Sequence, residues 1–167
     1  MRTVRFLLLA ALLALPSAVP AADELMMATT ANTQDSGLLE YLKPFVLQET
    51  GIALKWVSAG SGNALELGKN CKVDVLFMQD PDFELKMVEE GIVVDRREIM
   101  YTIEGDPGRI NQYSVMTVNP AKCPKAKAGL AKKLTEWWVC PPTQKRIAAF
   151  RLEGKQLFFP NAAPPSR

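Results

Sequence analysis

Two stretches of this chain carry residues whose types and spacing suit the capture of an anion. The first is LMMATTANTQDSGLLEYL, Leu25 to Leu42: a short apolar run, a hydroxyl-rich turn, then a helical pattern. The second is Ser58-Ala59-Gly60-Ser61-Gly62-Asn63, again set between an apolar run and a helical pattern. Hydroxyls and backbone N–H groups at a helix start hold oxyanions without a cationic side chain. Thr29, Thr30 and Ser61 can each donate a hydroxyl hydrogen bond, while Gly60 and Gly62 let the backbone approach a ligand closely. A fully ionised oxyanion accepts hydrogen bonds and offers no proton in return, so neutral donors suit it. The candidate oxyanion-binding set is Thr29, Thr30, Ser61, Gly62 and Asn63. For either loop alone, ordinary capping by Ser and Thr accounts for the same residues; it is the pair that points to ligand capture.

Other chemistry is poorly served. The chain has no histidine, which removes Ser-His-Asp and Cys-His catalysis in their usual forms and zinc sites built on imidazole. Ala59-Gly60-Ser61-Gly62-Asn63 is not G-x-S-x-G, because the glycines flank the serine directly. Gly62 to Lys69 is one residue too long for a phosphate-binding P-loop, and Asn70 stands where Ser or Thr must hold magnesium. Asp80 and Asp82 read as helix-start residues, and Glu89 and Glu90 as a solvated helix end. Asp95, Arg96 and Arg97 read as a surface ion-pair patch. Trp137 and Trp138 read as core. The expectation is a protein that is not an enzyme, with no cofactor and no metal.

Residues 1–21 read as a signal peptide: Arg2 and Arg5, an apolar run from Phe6 to Leu15 too short to span a bilayer, and Val19-Pro20-Ala21 before the cut. The expected location is the periplasm. Of 20 Lys+Arg and 18 Asp+Glu, losing Arg2 and Arg5 leaves 18 of each, so nothing suggests a nucleic-acid partner. The remaining ~146 residues are the size of one domain. Cys71, Cys123 and Cys140 make an odd set, so in an oxidising compartment at least one thiol is unpaired or links two chains. Cys123 and Cys140 flank an expected helix about 20 Å long, which argues against a bridge between them. Cys71 reads as a small buried residue, and no pairing is assigned.

The elements that position the two loops follow from periodicity. Leu25 to Ala28, Ile52 to Ser58, Val73 to Met78 and Ile92 to Val94 read as strands. Between the first two, Ser36 caps a helix carrying Leu38, Tyr41, Leu42, Phe45 and Val46, which Pro44 should kink or divide. A second helix runs through Ala64, Leu65 and Leu67. A third starts at Asp80-Pro81-Asp82, turns Phe83, Met87 and Val88 inward, and ends at Gly91. This alternation argues for an α/β fold with a mostly parallel sheet covered on both faces. Ile99–Ile103 and Tyr113–Val118, joined through Glu104–Arg109, read as an antiparallel strand pair. Ala126–Val139 is a helix, Thr143 caps a shorter one, and residues 161–167 form a proline-rich tail. Residues 22–160 form one α/β lobe.

ATTANTQDSGLLEYL, GSGNALELG, VDVLF, VEEGIVVDRREIMY, EGDP, NQYSVMTVNP and GKQLFFPNA resemble the tungstate-binding periplasmic proteins of ABC transporters, over nearly all of the mature chain. The resemblance implies a type II periplasmic binding fold of two α/β lobes joined by crossing strands. It implies capture of tungstate or molybdate and handover to an ABC permease in the inner membrane. Thr29, Thr30 and Ser61 fall where that family's first-lobe donors lie. One departure is large. The family inserts a second lobe between its REIMY and EGDP segments, whereas Tyr101 and Glu104 are nearly adjacent here. The expectation is therefore a single lobe with a hinge-derived antiparallel pair, lacking the arginine of the second lobe and binding weakly alone. The alternative is an interaction or sensory module that reuses the lobe, as a homodimer with two half-sites facing each other.

Overall fold

The computed structural model describes residues 22–103, 105 and 108–163. The signal peptide expected at 1–21 lies outside them, as do 164–167 of the expected tail. The chain runs β1 (Asp23–Thr29), α1 (Ala31–Asp35), α2 (Leu38–Thr50), β2 (Ile52–Ser58), α3 (Ser61–Lys69), β3 (Val75–Met78), α4 (Pro81–Glu89), β4 (Val93–Ile103), β5 (Ile110–Val118), α5 (Ala128–Val139), α6 (Pro141–Ala149) and β6 (Phe159–Pro160). The strands form one sheet in the order β2-β1-β3-β5-β4-β6. β1 pairs in parallel with β2 and β3; the β3–β5, β4–β5 and β4–β6 pairs are antiparallel. The fold is an α/β lobe with a mixed sheet.

β4 runs in the direction of β1 to β3, as the alternation implies, but β5 lies between them. The two strands expected at Ile92–Val94 and Ile99–Ile103 are one. The charged quartet Asp95-Arg96-Arg97-Glu98 does not break the strand, because register shifts between Val94 and Arg97 and between Glu98 and Met100 absorb it. Asp95 takes φ 53° at the first of these, a conformation tolerated by Asp better than by bulkier residues.

Two cores form, one on each face of the sheet. Leu38, Leu39, Leu42 and Val46 of α2 meet Leu134, Trp137 and Trp138 of α5 over Leu25, Met27, Val75 and Phe77. On the other face Ala64, Met87 and Val93 pack over Ala28, Leu76, Met78 and Met116. Both tryptophans are core residues: Trp138 stacks on Phe77 with ring centroids 4.9 Å apart. Trp137 Nε1 donates to Glu49 at 2.8 Å, and Arg146 pairs with the same carboxylate, which ties α2, α5 and α6 together.

Four local expectations need correction. Pro44 neither divides nor ends α2, which runs unbroken through it; Pro44 sits on the exposed side, where water can take the carbonyl it leaves without a donor. Phe83 and Val88 are each 40% exposed while Glu84 and Met87 are fully buried, so α4 is rotated about its axis from the expected face. Thr143 lies inside α6, whose cap position is Cys140. Cys71 is exposed and bonded to Cys123, leaving Cys140 as the free thiol. Among the described residues no helix is long and apolar enough to cross a membrane.

Candidate functional site

The connection from β1 to β2 passes through α2 on one face of the sheet; that from β2 to β3 passes through α3 on the other. With β1 between β2 and β3, the sheet reverses its winding at β1. At such a reversal the helices diverge and leave a crevice outside the carboxyl ends of the strands, where ligands bind in open α/β sheets. Thr29 and Thr30, Ser58 to Ser61, and Gln79 stand at those three strand ends.

The two hydroxyl-rich loops meet. Thr29 pairs with Ser58 at the last rung of the β1–β2 ladder, and the Ala59 N–H donates to Thr29 O at 2.8 Å just beyond it. Gly60 takes the cap position of α3 with extended backbone, and no side chain caps the helix. Ser61, Gly62 and Asn63 are its first three residues, whose amides have no partner one turn back.

The side chains of the candidate set go different ways. Thr29 shares the face of its cross-strand neighbour Phe77; it is fully buried, and among the described residues its hydroxyl has no partner. Thr30 links the ends of β1 and β3: its hydroxyl donates to Gln79 Oε1 at 2.6 Å and lies 3.1 Å from the Thr33 hydroxyl, which also donates to Gln79 at 3.4 Å. Ser61 is half-buried, and Gly62 and Asn63 are exposed. Asn63 also lines a separate hollow of about 510 Å³ along α3 with Glu66, Leu67, Asn70 and Lys72. Ser36 does not take the cap position of α2, which Gly37 holds without a side-chain cap; Ser36 ends α1 instead, where its hydroxyl donates to Thr33 O and accepts from the Leu38 amide.

A buried ion pair lies at the start of α4. Glu84 accepts from the Asp80 amide at 3.0 Å and from Arg96 Nε at 2.9 Å, and Arg96 also reaches Glu98 at 3.2 Å. Burial pushes the Glu84 carboxyl above its ordinary value, while the Asp80 amide and Arg96 pull it back down. The pair fixes the start of α4, directly after Gln79. Asp95, Arg96 and Arg97 are thus not one surface patch: Arg97 pairs outward with Asp95, while Arg96 reaches under α4. Among the described residues no group of His, Cys, Asp or Glu is placed to hold a metal ion.

Gln79 and Glu84 were not singled out by the sequence. Gln79 carried a usable signal, since in Phe77-Met78-Gln79-Asp80 it is the first polar residue after an apolar strand, as Thr29 is after Met27-Ala28. Glu84 carried none, because the apolar residues of α4 fit two helical faces almost equally well.

Residues 16–103 match the family described as the PBP superfamily domain. The chain is 44% identical over 70 residues to the tungstate-binding protein TupA of Campylobacter jejuni, a stretch covering 42% of this chain and 26% of that protein. It is 41% identical over 81 residues to TupA of Peptoclostridium acidaminophilum, covering 48% and 28%. The chain thus spans about a quarter of the length of these curated relatives. Among solved structures, the tungstate-binding protein TupA from Desulfovibrio alaskensis G20 superposes with a TM-score of 0.82 at 27% identity, covering 85% of this chain and 100% of that one. A putative periplasmic protein from Wolinella succinogenes superposes at 0.72 with 26% identity, covering 77% and 100%. The match to the family covers more than half of the chain, and the crevice loops fall within it: this chain belongs to the PBP superfamily.

Proposed function

We propose that this chain is an exported solute-binding protein of an ABC-type uptake system for tungstate or molybdate, acting from the periplasm and reduced to one lobe. Residues 1–21 are its signal peptide, residues 22–160 the lobe and 161–167 a tail. Its ligand-binding set is Thr29, Thr30, Ser61, Gly62 and Asn63, and its partner is an inner-membrane permease. The observation that carries this reading is the meeting of the two hydroxyl-rich loops at the Ala59–Thr29 hydrogen bond, which puts the uncapped start of α3 beside the threonine turn. The TupA relatives bind tungstate by name, and tungstate is a dianion that accepts from many neutral donors at once. It binds without acid-base or redox chemistry, so the chain acts as a receptor and not as an enzyme.

One lobe leaves the anion open to water on one side. A two-lobed relative closes over its ligand, and closure adds donors and removes water. Each charge-assisted hydrogen bond contributes about 1.5–3 kcal/mol, so loss of a few donors weakens binding by several orders of magnitude. Titration calorimetry with tungstate, molybdate and sulfate tests the reading. Heat is expected with tungstate or molybdate at micromolar to millimolar ligand, and its absence at millimolar ligand would sink the reading. Thr30→Ala and Ser61→Ala are each expected to weaken binding tenfold or more; unchanged affinity in both would remove the site assignment.

A second reading is an interaction module in which two copies face each other across the anion. It is favoured by Ile103 and Ile110, paired across the β4–β5 ladder and 44% and 59% exposed. Sedimentation equilibrium decides it: a strict monomer, with and without tungstate, rejects the dimer.

A further inference from the structure

Thr30 has one hydroxyl hydrogen, and Gln79 already holds it. The hydroxyl that sequence reasoning places on the anion is therefore engaged with a neighbour, and the donor that faces the ligand must be sought next to it. The Gln79 side chain is half-buried. Its Oε1 accepts from both Thr30 and Thr33, so its Nε2 is turned away from the two threonines and carries two N–H donors. Among the described residues Nε2 has no protein partner. Gln79 directly follows β3, and Thr30 directly follows β1. The hydrogen bond between them spans the mouth of the crevice where the sheet reverses its winding.

We infer that Gln79 is a ligand-binding residue of this site: its amide nitrogen donates to the bound oxyanion, while Thr30 and Thr33 are positioning residues that fix its orientation. This rests on the oxyanion reading above and changes the role of Thr30 within it. The chemistry is self-consistent. A carboxamide has one accepting and one donating end, and two hydroxyls held on the accepting end present the donating end to the crevice. The opposite orientation would aim a carbonyl oxygen at an anion.

Three variants separate binding from positioning. Gln79→Glu keeps an acceptor for both threonine hydroxyls but replaces the N–H donors with negative charge. Gln79→Leu removes acceptor and donor together. Gln79→Lys removes the acceptor and adds a cationic donor. With tungstate as the titrant and thermal melts as the control for folding, Gln79→Glu is expected to melt close to the unmodified protein yet bind at least a hundredfold more weakly. Gln79→Leu is expected to lose about tenfold, and Gln79→Lys to bind more tightly than Gln79→Leu. A positioning role alone gives the opposite order, with Gln79→Glu retaining affinity. Gln79→Glu within threefold of the unmodified protein overturns the inference and leaves the oxyanion reading standing. Absence of binding by the unmodified protein to tungstate, molybdate and sulfate overturns both. If Gln79→Glu fails to fold, the comparison of Gln79→Lys with Gln79→Leu decides, equal or weaker binding by the lysine variant counting against the inference.

Discussion

Replacing Cys71 by Ser and Cys123 by Ala together is expected to lower the unfolding free energy by about 4 kcal/mol. The bridge joins residues 52 apart in sequence, and closing a loop of that length removes about this much chain entropy from the unfolded state at 25 °C. Its two ends are unlike. Cys71 is exposed at the turn after α3, held there by its amide donating to Gly68 O, while Cys123 is 2% exposed in the loop after β5. The bridge thus pins the far end of the helix whose start forms one wall of the crevice. Urea unfolding of the double variant and of the reduced unmodified protein should give the same loss. A loss below about 1 kcal/mol in both would mean that the unfolded chain is already compact across this loop. Cys140, half-buried beside Thr143, is untouched by the comparison.

Arg96→Met is expected to cost about 3 kcal/mol at neutral pH, because it strands a buried carboxylate. Surface ion pairs are worth far less, but Glu84 is fully buried and Arg96 is 17% exposed. The sign of the pH dependence follows from linkage. Burial raises the Glu84 carboxyl in the folded protein, so the native state holds that proton more tightly than the unfolded chain does. The contribution of Glu84 to stability is therefore most favourable below its ordinary value near 4.5, and it declines as pH rises through the raised folded value. Removing Arg96 takes away one of the influences that hold the carboxyl down, and the folded value climbs further. Denaturant midpoints should then show a large loss at pH 8 that narrows toward pH 5. Adding Glu84→Gln to Arg96→Met should recover part of the loss, which is the coupling expected of residues in direct contact. A loss that does not change with pH would mean that Arg96 stabilises by packing its methylenes and not by pairing its charge.

The first half of the fold was legible in the sequence because each element there carries one uninterrupted periodicity. Strands β1 and β2 are short apolar runs, and α2 repeats its apolar residues every three or four positions. The threonine and serine loops then fall at strand ends by counting alone. The second half was legible in its elements but not in their arrangement. Nothing local tells β5 to enter between β3 and β4, since that order is set by which apolar faces cover the sheet once the chain is whole. The strand β4 hid behind its four charged residues because bulges place charges on a strand without breaking it. The disulfide was hidden by distance along the chain, and Glu84 by a helix whose apolar residues do not choose a face. At the strand ends the hydroxyl types were visible, but that the Thr30 hydroxyl is held by a neighbour depends on a residue 49 positions away.

Ile103 and Ile110 face each other at the last described rung of the β4–β5 ladder, and both are largely exposed. The two ends of this ladder therefore lie one strand spacing apart, about 5 Å. Neither core reaches this tip, so what is spliced between these two positions need not disturb either. A folded insert whose own ends lie close together can be carried there as a passenger, and the cost of closing it into the chain grows only slowly with its length. An insertion between Ile103 and Ile110 is thus expected to leave the shape of the rest of the molecule unchanged.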